Sequence, residues 1–280
     1  MKHLFYLLLI LCSGSVLVLS GCRNKTENAD IEATDSLVAD TLSETLDSLS
    51  PIIGGHFATE IFSDFFDEFV HNKNVQLHRI KFPLQWTAQQ ETRLIEKKDW
   101  QYDALYSNND YYTLIYDAKS FEQEQEIDTV SKVVTYQVFN LREGNVRNYR
   151  FEILEARWVL TSVDERSWKG TDNADFLDFY QSFVSNDRYQ FAHIANPFFF
   201  TSYDFDTDEE LSGTLDAIQW PEFRPELSKE WLTNIVYGNA RLQGNQRIIR
   251  MIAPGDGGMN VVLRFKNKGG KWLLYEQNNQ

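Results

Sequence analysis

The stretch Phe62-Ser-Asp-Phe-Phe-Asp-Glu-Phe-Val-His-Asn-Lys-Asn-Val-Gln-Leu-His-Arg-Ile-Lys-Phe-Pro83 decides the reading of this chain. It is written again as Phe176-Leu-Asp-Phe-Tyr-Gln-Ser-Phe-Val-Ser-Asn-Asp-Arg-Tyr-Gln-Phe-Ala-His-Ile-Ala-Asn-Pro197. Without gaps the pairs Phe62/Phe176, Asp64/Asp178, Phe65/Phe179, Phe69/Phe183, Asn72/Asn186, Gln76/Gln190 and Pro83/Pro197 are identical. The same offset of 114 residues pairs Arg150-Phe151 with Arg264-Phe265, and Trp158 with Trp272. One offset that holds at both ends of a unit reads as a tandem duplication.

Each unit is legible by itself. Phe62, Phe65, Phe66, Phe69 and Val70 fall at helical spacing, which gives an opening helix with one aromatic face. Asn72 and Asn186 lie just past it, where asparagine tolerates a left-handed cap, and Pro83 and Pro197 stop any further helix. Strands follow: 132–140, 145–154 and 157–163 in the first unit, and 247–253, 259–265 and 271–275 in the second. Glycine-bearing turns join them at Arg142-Glu-Gly-Asn145, Pro254-Gly-Asp-Gly-Gly258 and Asn267-Lys-Gly-Gly270. The expected class is α+β, each unit an N-terminal helix packed on a curved antiparallel sheet.

Working outward toward the N-terminus, Met1-Lys2-His3 is followed by an apolar run and then by Leu19-Ser20-Gly21-Cys22. A basic start, an apolar core and small residues before a cut site make an export signal. The last four residues resemble a bacterial lipobox, so residues 1–21 are expected to leave and Cys22 to carry the lipid. Residues 22–54 are acidic and contain no aromatic residue, and read as a flexible tether. Two domains then span 55–166 and 167–280. Of the two cysteines, Cys12 departs with the signal, leaving no thiol for disulfides or catalysis in the folded region. Arg23, rather than an aspartate after the lipidated cysteine, fits an outer-membrane destination. A formal charge of −14 argues against nucleic acid as a partner.

A helical start followed by a curved sheet resembles the nuclear transport factor 2-like (cystatin-like) superfold. The duplicated Phe-x-Asp-Phe-aromatic and Gln-x-x-x-Ile-x-x-Pro segments resemble an uncharacterised Bacteroidetes lipoprotein family of that fold, over roughly Ile61 to Tyr275. The resemblance implies a cone between helix and sheet, where enzymes of the superfold keep an Asp or His whose raised pKa suits proton abstraction.

The candidates for such chemistry are His193, Asp178 and Asp64. Both aspartates precede a core phenylalanine, which places them toward the solvent edge of their helices, so a surface role competes with catalysis. His193 stands opposite Arg79 in the alignment, so the two units carry different bases at one position; His78 has no such counterpart. Arg79, His193, Trp86 and Trp220 are the candidates for ligand contact, although tryptophans without a counterpart at the constant offset are more often packing residues. Gln76 and Gln190 read as holders of a shared turn through backbone hydrogen bonds. No cofactor signature and no metal set is recognised; the acidic run Asp204, Asp206, Asp208, Glu209, Glu210 reads as a solvated loop. The expected function is a lipid-anchored envelope protein that binds a small molecule or protein, or serves as a scaffold, without catalysis. An isomerase-, dehydratase- or hydrolase-type enzyme and a purely structural protein are the alternatives.

Overall fold

The computed structural model describes residues 60–123, 131–204, 207–253 and 260–279, with the backbone of two short strands, β1 (Ile52–Ile53) and β2 (His56–Phe57). These all lie in the compact unit Pro51–Gln280. The signal, Cys22, nearly all of the tether and the turn 254–258 lie outside the described residues. Among the described residues no helix is long and apolar enough to cross a membrane.

Two helix pairs and two six-stranded sheets make up the unit. Helix α1 (Phe62–His71) runs into the short α2 (Lys73–His78). After it come the hairpin β3 (Ile80–Ala88) and β4 (Glu91–Ile95), then β5 (Tyr112–Tyr116) and α3 (Ala118–Glu122). The meander β6 (Val133–Asn140), β7 (Asn145–Leu154) and β8 (Arg157–Ser167) closes the first half. The second half repeats the order: α4 (Ala174–Ser185), α5 (Asp187–Ala192), β9 (Ile194–Asp204), β10 (Glu209–Leu215), α6 (Trp220–Phe223) and β11 (Trp231–Tyr237). Strands β12 (Gln246–Ile252), β13 (Asn260–Lys268) and β14 (Lys271–Asn279) end it.

The sheet orders are β11-β6-β7-β8-β3-β4 and β5-β12-β13-β14-β9-β10. Each half therefore lends one strand to the other's sheet: β5 pairs with β12, and β11 with β6. Pairing is antiparallel except at β3–β8 and β9–β14, which are parallel, so neither sheet is wholly antiparallel as expected. In each half the parallel neighbours are the first and last strands, β3 with β8 and β9 with β14, and the intervening hairpin strand, exchanged strand and meander form the long crossover that a parallel pair needs.

Each helix buries its aromatic face on its own sheet. Phe62, Phe65, Phe69, Phe151 and Trp158 are at most 1% exposed in the first core, as is Phe176 in the second, beside Phe265 and Trp272. Edge-to-face contacts knit these rings, with Phe69–Phe151 at 5.2 Å and Phe176–Trp272 at 5.1 Å. The asparagines after the helices do not adopt the left-handed cap expected of them. Asn72 (φ −120°) and Asn186 (φ −135°) are extended and start the next helix, their side chains accepting from Val75 N and Tyr189 N.

The exchanged strands are fastened where they meet. Thr113 Oγ1 accepts from Thr233 N at 2.7 Å and donates to Thr233 O at 2.7 Å, and Thr233 Oγ1 does the same to Thr113 at 2.7 and 2.8 Å. At the far end of β5, Asp117 caps α3 through Ser120 N and also accepts from Gln243 N, both at 2.7 Å. Burial alone would raise its pKa, but those two backbone donors, the Ser120 hydroxyl and the nearby Arg247 hold it below the ordinary carboxylate value. The stabilisation it lends is therefore present above the unfolded-state pKa of about 3.9 and disappears as pH falls through the lower folded value. Urea midpoints measured from pH 6 to pH 2 should show this: Asp117→Asn should cost about 1–2 kcal/mol near neutrality and flatten the acid limb. An unchanged acid limb would remove Asp117 from the account.

Candidate functional site

An open groove of about 1280 Å³ runs along the seam between the exchanged strands. It is larger than the roughly 300–1,000 Å³ of common small-ligand clefts. One wall is the face of the first sheet turned away from α1. Across that face four residues stand in register on neighbouring strands: Asn234, Gln137, Asn148 and Asp164. Their side chains are linked, Asn234 Nδ2 to Gln137 Oε1 at 3.3 Å, Gln137 Nε2 to Asn148 Oδ1 at 2.9 Å, and Asn148 Nδ2 to Asp164 Oδ2 at 3.3 Å. Asn234 Oδ1 also accepts from Ile115 N at 2.8 Å, so the ladder is tied to the strand that belongs to the other sheet. With donors and acceptors already aimed, these amides present a preorganised polar surface.

The opposite wall carries the equivalent rung of the second sheet, which is Leu114, Arg250, Val262 and Asn278. Of the two rungs, Gln137, Asn234, Leu114 and Arg250 reach the groove itself. Identical topology thus presents amides on one side, and a guanidinium among aliphatic side chains on the other. One end is closed by Phe66 and by the tyrosines Tyr106, Tyr112 and Tyr237. The segment Asp172–Asn173 borders the groove elsewhere. It is held by Arg247, whose Nε donates to Asn173 Oδ1 at 2.9 Å and which is 4% exposed. Burial lowers the Arg247 pKa, against the opposing pull of Asp175, Asp117 and Asp172.

A second, smaller groove of about 870 Å³ includes Arg224, Gln190, Tyr111 and Trp231. Arg224 Nη1 donates to Gln190 Oε1 at 2.7 Å and to Asp187 at 3.1 Å. Burial pushes the Tyr111 hydroxyl up to about 12.

The residues singled out from sequence lie elsewhere. Asp64 is exposed on α1, and Asp178 is exposed on α4, where it accepts the indole N–H of buried Trp168 at 2.9 Å. His193 ends α5; its Nδ1 donates to Tyr189 O at 2.7 Å and its ring stacks on Tyr189 at 3.9 Å. Arg79, at the equivalent place, is clamped by Glu60 at 2.9 and 2.7 Å and donates to Trp158 O. Trp86 sits against the guanidinium groups of Arg93 and Arg147, each 5.3 Å from its ring centre. Trp220 is buried. None of these lines either groove.

The glutamines do hold backbone as expected, Gln76 Nε2 reaching Phe69 O and Asp103 O, and Gln190 Nε2 reaching Phe183 O. They also each take an indole N–H, from Trp100 and Trp220. Those two tryptophans are therefore counterparts, at an offset of 120 rather than 114, as are Thr113 and Thr233. The longer β9–β10 hairpin accounts for the difference, and allowing it a gap would have brought both pairs out of the sequence. Among the described residues no three His, Cys, Asp or Glu side chains are placed to hold a metal ion.

No curated protein matches the chain. Among solved structures it is similar to an NTF2-like protein from Bacteroides fragilis, with a TM-score of 0.70 and 29% identity, over 80% of this chain and 97% of that one. The fold is accordingly a tandem pair of nuclear transport factor 2-like domains. A family model described as Domain of unknown function (DUF4348) matches residues 44–279, and the chain belongs to that family.

Proposed function

We propose that this is a non-catalytic lipoprotein of the cell envelope, anchored in the outer membrane through Cys22, that holds a ligand in the seam groove. In this reading residues 1–21 are removed, residues 22–54 form the tether, and the halves 55–166 and 167–280 descend from one duplicated domain. The ligand is elongated and oxygen-rich, with a negatively charged group for Arg250 and hydrogen-bonding atoms for Asn234 and Gln137.

One observation carries the reading. Core positions repeat residue for residue, as in Phe62/Phe176, Phe151/Phe265 and Trp158/Trp272, while equivalent groove positions differ in chemistry: Gln137/Arg250 and Asn234/Leu114. A scaffold that only had to fold could keep the same residues on both walls. Different walls suit a ligand with two different sides. The cones, by contrast, are filled by aromatic side chains. The outward placement of Asp64 and Asp178, and a His193 whose Nδ1 is committed to a carbonyl, favour binding over proton transfer.

Native mass spectrometry on the full chain, purified from its own membrane, tests this. A bound mass that is lost on denaturation is expected. Arg250→Met combined with Asn234→Leu should weaken its retention by roughly tenfold or more, each lost polar contact being worth about 1–3 kcal/mol. A bare mass from the native source, or retention untouched by the double variant, would refute the groove as the site.

A further inference from the structure

Among the described residues, the two loosest arginine–carboxylate pairs both border the seam groove. Arg166 Nε lies 3.4 Å from Asp164, and Arg241 Nε lies 3.7 Å from Asp172. The other such pairs are held at 3.2 Å or less. Both distances exceed the roughly 2.7–2.9 Å of a charge-assisted hydrogen bond. Each arginine meets its carboxylate most closely through Nε, so its terminal nitrogens are the less engaged ends, and the side chains are 65% and 77% exposed. Arg166 and Arg241 line the groove together with Arg250. The carboxylates that line it are Asp172 and Asp67, the latter 3.3 Å from His71; no lysine or glutamate among the described residues joins them. Three positive charges thus meet two negative ones, in a chain whose formal charge is −14. A cleft of that sign on an acidic protein draws anionic ligands to itself.

The uncharged lining narrows the class of anion. Asn234 and Gln137 each spend one amide proton in the ladder and keep a second. At the closed end the rings of Tyr106 and Tyr112 stand 4.6 Å apart at 34°, a tilted aromatic surface. The electron-rich face of such a ring suits the C–H bonds of a sugar. Guanidinium groups for carboxylates, amides for hydroxyls and aromatic faces for the ring are the complement of an acidic sugar chain. An acidic peptide would match the cations, but a peptide laid along a sheet needs an open strand edge for its backbone. Here the edges are taken: Thr113 N donates to Thr233 Oγ1, Ile115 N to Asn234 Oδ1, and Thr233 N to Thr113 Oγ1.

We propose that the ligand of the seam groove is an acidic oligosaccharide, a run of uronic acid units whose carboxylates are taken by Arg250, Arg166 and Arg241 and whose hydroxyls meet Asn234 and Gln137. This deepens the groove reading and rests on it. The site lies outside both cones, since the amide wall is the face of the first sheet turned away from α1. Recruiting Arg166 and Arg241 costs the fold little, because exposed pairs contribute little to stability.

The test titrates the full chain in detergent, by calorimetry, with tetramers of galacturonate and of mannuronate, with their methyl esters, and with tetraglutamate. At least one uronate is expected to bind, its ester about tenfold more weakly or worse, and tetraglutamate without measurable heat. Arg166→Gln and Arg241→Gln should each weaken uronate binding by roughly three- to fivefold and leave Tm unchanged, both side chains being exposed. Added salt should weaken binding of the acid far more than that of the ester. An ester that binds as tightly as its acid, or arginine variants that bind like the parent chain, would overturn the acidic class. Tetraglutamate binding as well as a uronate would overturn the sugar. If neither uronate binds while a native bound mass is still lost in Arg250→Met/Asn234→Leu, the glycan fails and the groove reading stands. If the native mass is bare as well, both fail.

Discussion

Glu60→Ala is expected to lower the stability of the chain by about 2–3 kcal/mol, with a fall in Tm of roughly 5–10 °C. The Glu60 carboxylate takes both terminal nitrogens of Arg79 and the backbone N–H of Trp158, at 2.7 to 3.0 Å. Its loss leaves a guanidinium that is 15% exposed with Trp158 O as its remaining acceptor and the Phe65 ring 5.3 Å away. Breaking a fully buried pair costs about 3–5 kcal/mol; Glu60 is 27% exposed, and partial solvent screening sets the smaller figure. The double variant Glu60→Ala/Arg79→Met should be more stable than Glu60→Ala alone, because the orphaned charge goes with it. In the second half Ala174 and His193 take these places, and His193→Ala should cost only about 1 kcal/mol for one hydrogen bond and a stacking contact. Urea midpoints for the three variants decide the matter. If Glu60→Ala and His193→Ala cost the same, Arg79 is not held by its carboxylate in solution.

That contrast explains why Arg79 and His193 stood out from sequence although neither lines a groove. An arginine aligned with a histidine looks like a divergence of function. In three dimensions it is one helix-ending position with two local solutions, a clamped cation and a stacked imidazole. Asp64 and Asp178 were easier: helix phase alone put them toward solvent, and there they lie. The aromatic cores were legible because Phe62, Phe65, Phe66 and Phe69 combine a 3.6-residue period with residue-by-residue recurrence at Phe176, Phe179 and Phe183. Strand positions also emerged, since alternation specifies which residues share a face. Alternation does not specify the neighbour. Tyr112-Thr-Leu-Ile-Tyr116 reads as a strand in any context, and nothing local says that it leaves its own sheet for β12. Because the groove exists only through that exchange, Gln137, Asn234 and Arg250 had no common feature to be found by. Their alignment partners differ, so the search for repeats that revealed the cores passed over the walls.

The exchange itself predicts the other large effect. Thr113→Val and Thr233→Val should each cost about 2–3 kcal/mol, and by nearly equal amounts. Each hydroxyl accepts a buried N–H and donates to a buried carbonyl of the opposite strand, so valine of the same shape leaves two backbone groups in a dry seam without partners. Both threonines are 1% exposed, and water cannot substitute freely. Near-equality follows from the reciprocal geometry, in which each residue makes the same two bonds to the other. The hydroxyls also lie 3.3 Å from one another, so the double variant should cost less than the sum of the singles, with a coupling of about 1 kcal/mol. The two exchanged strands bring Asn234 and Leu114 to the groove walls one residue beyond each threonine. Loosening the seam should therefore reduce ligand retention in native mass spectra together with stability, whereas Glu60→Ala, on the far side of the first core, should leave retention unchanged at temperatures where the chain is folded. Unequal costs for the two threonine variants would mean that the strands are fastened by only one of them. Retention unaffected by either would detach the groove from the strand exchange that builds it.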